Sequence, residues 1–292
     1  MSTRIGRLAV IGVGLIGGSF ALDLKRLGLV DEVVGAGRSR ANLELALERG
    51  LIDVMVEDAI SAVVHADLVL LALPVGAMSL LFRVIGPVLP PTCILTDAGS
   101  TKQDVIAAAR TGLGEKIGQF VPGHPIAGAE TSGAAAARTG LYQGRHCILT
   151  PLPENRPQDV DRVEALWAAC GARVERLEPG MHDTIFAAVS HLPHLASFAL
   201  MEDLAARPEA PVYFRYAGAG FRDFTRIAGS HPEMWRDITL ANRGALLTEL
   251  DAYIAKLREL RGLIQAGDGT GLEELFARAR AARVNWNKAR NE

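Results

Sequence analysis

Apolar residues in the first 178 positions come in short continuous runs; beyond that point they come at helical spacing. Residues 8–11, 33–36, 68–73 and 94–96 are the first four runs, the third stopped by Pro74 and the fourth by Asp97. Runs without alternating polar positions predict parallel strands covered on both faces. Between them, residues 19–27, 42–49 (closed by Gly50) and 101–110 have helical composition. Residues 119–122, 145–150 and 173–177 read as further strands, with a helix at 159–170. This alternation predicts an α/β fold, an extended doubly wound sheet. After Pro179 the strand runs vanish, and three helical regions follow: 181–205 interrupted at Pro193, 233–263, and 272–288.

The first run leads into Gly12, Gly14 and Gly17, a G-x-G-x-x-G spacing between a strand and a helix. Gly12 permits the tight turn, Gly14 lets a pyrophosphate approach the backbone, and Gly17 lets the helix pack close to its strand. The free N–H groups of the first helical turn, around Leu15 and Ile16, then face the phosphates. The strand before and the helix after distinguish a dinucleotide site from a flexible glycine loop. The expected organisation is a Rossmann-type dinucleotide-binding domain, residues 1–178, and an all-α domain, residues 179–292. By analogy of fold, the second supplies substrate contacts, a dimer interface, or both. In such sites a carboxylate about 20 residues beyond the glycines holds the ribose 2′-hydroxyl. Here that count reaches Gly37, followed by Arg38, Ser39 and Arg40. With no carboxylate to repel a 2′-phosphate, and with two guanidinium groups and a hydroxyl to receive it, NADP is the expected cofactor and NAD a possible one. The alternative is that both arginines are solvated loop charges and either cofactor is accepted.

Composition removes other classes. At 292 residues and 49% hydrophobic content the chain can bury a sizeable core, and a formal charge of −2 leaves no footprint for nucleic acid. Cys93, Cys147 and Cys170 lack metal-ligand spacing and suit a reducing cytoplasm. The longest continuous apolar stretch, residues 68–82, is too short for a spanning helix and contains Pro74, so no membrane partner is expected. Arg4 and Arg7 precede an apolar run as in a secretory signal, but glycines break the run and Asp23, Lys25 and Arg26 follow it. No targeting segment is expected.

Four clusters carry candidate chemistry. Ser100, in Asp97-Ala-Gly-Ser-Thr-Lys102, sits at a predicted strand end, where it either reaches a substrate hydroxyl or caps the following helix. His124, in a glycine-flanked segment predicted to be a loop, is suited to proton transfer near neutral pH, or is structural. His191 and His194 share a helix face, but with no H-E-x-x-H and no acidic or cysteine partner a metal is not expected. Arg226, flanked by apolar residues, is expected to be buried and so to need an anionic partner: Asp223, or a substrate carboxylate held bidentately.

Five motifs occur in order: Gly-Leu-Ile-Gly-Gly-Ser at 14–19, Asp-x-Gly-Ser-x-Lys at 97–102, Gly-His-Pro-Ile-Ala-Gly-x-Glu at 123–130, Ser-His-Leu-Pro-His at 190–194 and Asp-Phe-Thr-Arg-Ile-Ala at 223–228. Together they resemble the prephenate/arogenate (cyclohexadienyl) dehydrogenase family of tyrosine biosynthesis. The resemblance spans roughly residues 7–240. It implies oxidation of a ring alcohol with loss of carbon dioxide, with His124 taking the hydroxyl proton and Ser100 orienting it. It further implies that Arg226 clamps a carboxylate and that His191, His194 and Glu130 shape the pocket. Trp235 matches a residue that the partner subunit contributes in relatives, so a homodimer through the helical domain is implied. Gly37 departs from the acidic residue that many relatives carry at that position, and at 292 residues no fused mutase or regulatory domain is expected. Two other readings compete: a two-domain dehydrogenase acting on a β-hydroxy acid, and a non-enzymatic NADP(H)-sensing protein. Neither explains His124, the histidine pair and Arg226 in their ordered contexts.

Overall fold

The computed structural model describes residues 4–128 and 131–291. Its first half alternates strand and helix: β1 Ile5–Ile11, α1 Leu15–Arg26, β2 Val30–Ala36, α2 Arg40–Glu48, β3 Val54–Val56, α3 Ala59–Val63, β4 Leu68–Leu71, α4 Val75–Ile85, β5 Ile94–Asp97, α5 Gln103–Leu113 and β6 Phe120–Val121. These six strands form one parallel sheet in the order β3-β2-β1-β4-β5-β6. Alternate residues of β1 point to opposite faces. Leu8 and Val10 join one buried cluster with Phe20 and Trp167, and Ala9 and Ile11 join another with Phe82 and Phe120. Both faces are therefore covered, as the continuous apolar runs require.

The later strands depart from the expectation of one extended sheet. β7 Gly123–Pro125, β8 His146–Leu149 and β9 Arg173–Arg176 form a separate three-stranded sheet, with α6 Pro157–Ala169 between β8 and β9. β7 runs antiparallel to β8, and β9 parallel to it. The segment predicted as a loop around His124 is thus a strand. Its Gly-His-Pro sequence has no β-forming pattern, and pairing with Cys147–Leu149 imposes the extended form.

The rest of the described chain is helical: α7 Pro179–Phe186, α8 Leu192–Ala205, α9 Ala210–Arg215, α10 Ala219–Thr225, α11 Pro232–Ala241, α12 Arg243–Ala266 and α13 Gly269–Asn291. Between α7 and α8, residues Ala187–His191 make a π-helical turn. Pro193 lacks an N–H and its ring crowds the preceding turn, so the hydrogen-bond ladder widens just before it. The stretch Pro179–Ala205 is, by length and composition alone, apolar enough to cross a bilayer, and 22% of its apolar window is buried. Backbone contacts divide the chain between Arg243 and Gly244. The change at 178 is a change of secondary structure without a gap in packing. Trp235 and Ile238 of α11 lie in the same apolar cluster as α4, and Gly76 approaches Asp237 so closely that a Cβ would sit 2.4 Å from its carboxylate.

Candidate active site

The glycine loop has the form that its sequence demands. Gly12 adopts φ +98°, and a Cβ there would strike the carbonyl of Ala72. A Cβ on Gly17 would strike the carbonyl of Gly12 and the side chain of Val10, so only glycine lets α1 sit this close to β1. Gly14 is different: among the described residues, a Cβ there would have only the backbone nitrogen of Gly133 near it, at 3.9 Å. It opens outward at the N-cap of α1, which has no side-chain cap. The first-turn N–H groups of Leu15, Ile16 and Gly17 are therefore available to an anion, as helix geometry leaves them. This cradle fits the pyrophosphate of a dinucleotide. At the end of β2, Ser39 caps α2 by accepting from the Asn42 N–H, and Arg40 pairs with Glu44 at 2.9 Å. Arg38 lines a cleft with Pro74, Ala77 and Asp237. Gly37 has room for a side chain, the nearest atom being a Leu43 methyl at 3.7 Å.

The C-terminal ends of β5 and β6 lead into the second part of the site. Asp97 and Lys102 form a fully buried ion pair, Nζ to Oδ2, at 2.5 Å. Lys102 also donates to the carbonyl of Gly123 at 2.7 Å, and the Gly123 N–H donates to Asp97 Oδ1 at 2.9 Å. Two charges that satisfy each other thus pin β7 at its first residue and fix where His124 stands. Ser100 lies between them, partly exposed, in the loop after β5. It does not cap α5: that helix starts at Gln103 without a cap from its own loop. The cap comes from Asp183 of α7, whose carboxylate accepts from the N–H groups of Lys102 at 2.8 Å and Gln103 at 2.9 Å.

Asp183 is also the end of a chain of side chains. His182 Nδ1 lies 2.8 Å from Asp183 Oδ1, and His182 Nε2 lies 2.8 Å from His124 Nδ1. Phe186 packs edge-on against His124 and at a tilt against His182. Burial, together with the charges of Lys102 and neighbouring histidines, holds His124 well below the usual imidazole range. Burial also holds His182 low, despite its bond to Asp183. Burial alone would raise Asp183, but the bonds from His182 and two backbone N–H groups outweigh it and hold the carboxyl low. The arrangement keeps a neutral imidazole in a partly exposed position beside a fixed carboxylate, which suits proton acceptance.

The remaining candidates separate. His191 is buried in the π-turn, where Asn242 donates to its Nδ1 at 3.1 Å, and burial lowers its pKa to about 4. His194 donates from Nδ1 to the Ser190 carbonyl and stacks on Trp235, centroids 3.6 Å apart. Trp235, implied to serve a partner's site, here lies against His194 of its own chain. Arg226 is exposed, which corrects the premise that its charge is buried; the cost of burial does not dictate its partner. Its charge is close enough to His194 to help lower that imidazole, after burial. Glu130 lies outside the described residues. No cluster of three metal-ligating side chains occurs among the described residues.

Sequence reasoning missed His182, Asp183 and Asn242. The available signal was the adjacent His-Asp pair: Asp183 is the one carboxylate in Pro179–Ala205 before Glu202.

Comparisons with known proteins agree with this geometry. Residues 20–176 match the family model "Prephenate dehydrogenase, nucleotide-binding domain", and residues 178–278 match "Prephenate dehydrogenase, dimerization domain". The chain is 36% identical to the cyclohexadienyl dehydrogenase of Zymomonas mobilis, over 97% of this chain and 96% of that protein. It superimposes on the Aquifex aeolicus prephenate dehydrogenase solved with hydroxyphenyl propionate and NAD+. That match has a TM-score of 0.90 and 34% identity, covering 98% of this chain and 99% of that one. The Synechocystis arogenate dehydrogenase structure matches with a TM-score of 0.79 and 30% identity, covering 96% and 99%. With both family models spanning most of its length, the chain belongs to the prephenate dehydrogenase family.

Proposed function

We propose that this chain is an NAD(P)-dependent dehydrogenase that converts prephenate, arogenate or both into 4-hydroxyphenylpyruvate or tyrosine with release of carbon dioxide. The observation that carries the reading is His124. It is held neutral, at the carboxyl ends of the sheet where ligands of open α/β folds bind, in a chain whose glycine loop fits a dinucleotide. A dinucleotide held on the cradle of Gly12, Gly14 and Gly17 would supply the acceptor for the hydride on the ring carbon that bears the hydroxyl. His124 takes the proton of that hydroxyl. The bond from C1 to its carboxylate breaks, its electron pair passes through the ring to the C4 oxygen as the ring becomes aromatic, and that oxygen takes the proton back from His124. Ser100 orients the hydroxyl and His124. Arg226 clamps a carboxylate, while His191, His194, Glu130 and Trp235 shape the pocket.

Residues 1–178 serve as the nucleotide-binding domain and 179–292 as the substrate and dimerisation domain. A homodimer is supported by exposed Met181, Val189, Val212, Tyr216 and Leu240, a set of apolar side chains that a partner subunit would cover. The same need accounts for the apolar stretch Pro179–Ala205, whose His182, Asp183 and His191 are buried against protein groups. The three buried free cysteines accord with a cytoplasmic enzyme.

NADP is the preferred cofactor, on the strength of Gly37 and of Arg38 at the cleft edge; Ser39 and Arg40 have structural duties besides. A four-way assay tests the whole reading: prephenate and arogenate, each with NAD and NADP, following reduced nicotinamide. The expected result is turnover of at least one substrate with the higher kcat/KM for NADP, and loss of that preference in Gly37→Asp, which has room to fold. A wild type that favours NAD refutes the cofactor choice; no turnover of either substrate refutes the activity.

A further inference from the structure

We propose that His182 and Asp183 are positioning residues that lock His124 in the one tautomer able to act as a base toward substrate. The inference rests on His124 as the proton acceptor and extends the site to two residues outside every recognised motif.

Asp183 is the fixed end of the relay. Its two oxygens accept from the Lys102 and Gln103 backbone N–H groups, and the residue is buried. A carboxylate only accepts, so His182 Nδ1, 2.8 Å from Oδ1, carries the hydrogen. Burial keeps His182 neutral near pH 7, so its Nε2 holds a lone pair. That lone pair faces His124 Nδ1 at 2.8 Å, and His124 must be the donor. The single proton of neutral His124 is therefore on Nδ1, and its Nε2 is the base. A neutral histidine in water favours the opposite form, with the proton on Nε2. Which nitrogen is protonated is set by the bond the other makes.

The charged and titratable groups around the pair favour this assignment. Lys102 is neutralised by Asp97, and His191 is held by Asn242. Phe186 packs against both rings and limits their rotation. When His124 takes the hydroxyl proton on Nε2, its Nδ1–H keeps the bond to His182. No proton has to leave the site, and Asp183 stabilises the new positive charge through His182. Removing the relay would turn the lone pair inward and leave a hydrogen where the base is needed.

The test uses the full chain labelled with ¹⁵N-histidine. Long-range ¹H–¹⁵N correlation reports the tautomer, with His124→Gln identifying the signals. In the wild type at pH 7.5, His124 is expected to carry its proton on Nδ1. In His182→Leu the Nε2–H form should dominate and kcat should fall roughly 10–100-fold, the range seen for outer-shell partners. KM should stay within about threefold, since substrate contacts are untouched. His182→Gln, whose amide oxygen can accept from Nδ1–H, should restore part of the lost kcat. A wild-type His124 in the Nε2–H form, or a His182→Leu enzyme with unchanged tautomer and kcat, overturns the proposal. Should His182→Leu not fold, the wild-type tautomer and His182→Gln decide the same question. Absence of turnover in the wild type would refute the functional reading, while the tautomer still tests the relay by itself.

Discussion

His124 and Arg226 carry opposite lessons about single residues. The role proposed for His124 came from the motif that carries the resemblance and from the suitability of imidazole for proton transfer near neutral pH. What holds His124 was not legible: His182 is 58 positions away, and only the approach of α7 to β7 brings the two rings together. For Arg226, sequence reasoning inferred burial from apolar neighbours, but those neighbours lie on a short helical segment whose other side is open. An exposed arginine can be removed without emptying the core. Arg226→Ala is therefore expected to fold as the wild type does by circular dichroism. It should raise KM by tenfold or more while kcat changes much less, because hydrogen bonds to a charged group contribute about 1.5–3 kcal/mol to ground and transition state alike. Unchanged KM for the preferred substrate would remove Arg226 from the site.

Among the elements that sequence reasoning found, β1, β2, β4 and β5 with α1, α2 and α5 are those with long apolar runs or clear stops. It missed β3, β7, α3, α9 and α10, each too short to show a period, and α4, whose apolar residues extend the run from β4 past Pro74 without a clear polar face. It also read β8 and β9 as continuing the main sheet, because a strand's pattern does not say which neighbour it pairs with. The helical stretch from Pro179 to Ala205 has a property that follows from its packing. His182, His191 and His194 on it, and His124 against it, all have pKa values lowered by burial. The unfolded chain binds protons at these sites from about pH 6.5 downward, and the folded chain does not. Stability is therefore expected to fall as pH drops below 6.5. His191 alone, lowered to about 4, accounts for a loss on the order of 3 kcal/mol once the pH is below that value. Thermal melts at pH 7.5, 6.5 and 5.0 check this: Tm should decrease between the last two, and a flat or rising Tm would show that these imidazoles do not stay neutral in the fold.

At the scale of the molecule, fold and chemistry are joined by how the chain returns to its sheet. The doubly wound sheet supplies the glycine cradle, and the Asp97–Lys102 pair anchors β7. Within the first compact unit, α7 brings Asp183 to α5, and α11 brings Trp235 to His194 of α8. In the second compact unit, Leu247, Leu257, Ile264 and Phe276 of α12 and α13 are exposed, and Leu246 is the one buried apolar side chain among its described residues. Surfaces of this kind resemble a core divided between two subunits. Light scattering at micromolar concentration should report twice the chain mass of 31.2 kDa, and a monomer would refute the dimer. The most direct test of the central claim is turnover by His124→Ala against wild type, with substrate binding measured in parallel. The variant is expected to bind substrate with near wild-type Kd while kcat falls ~10²–10⁴-fold, the usual contribution of a general base. A folded His124→Ala enzyme that turns over at close to the wild-type rate at neutral pH would contradict the account.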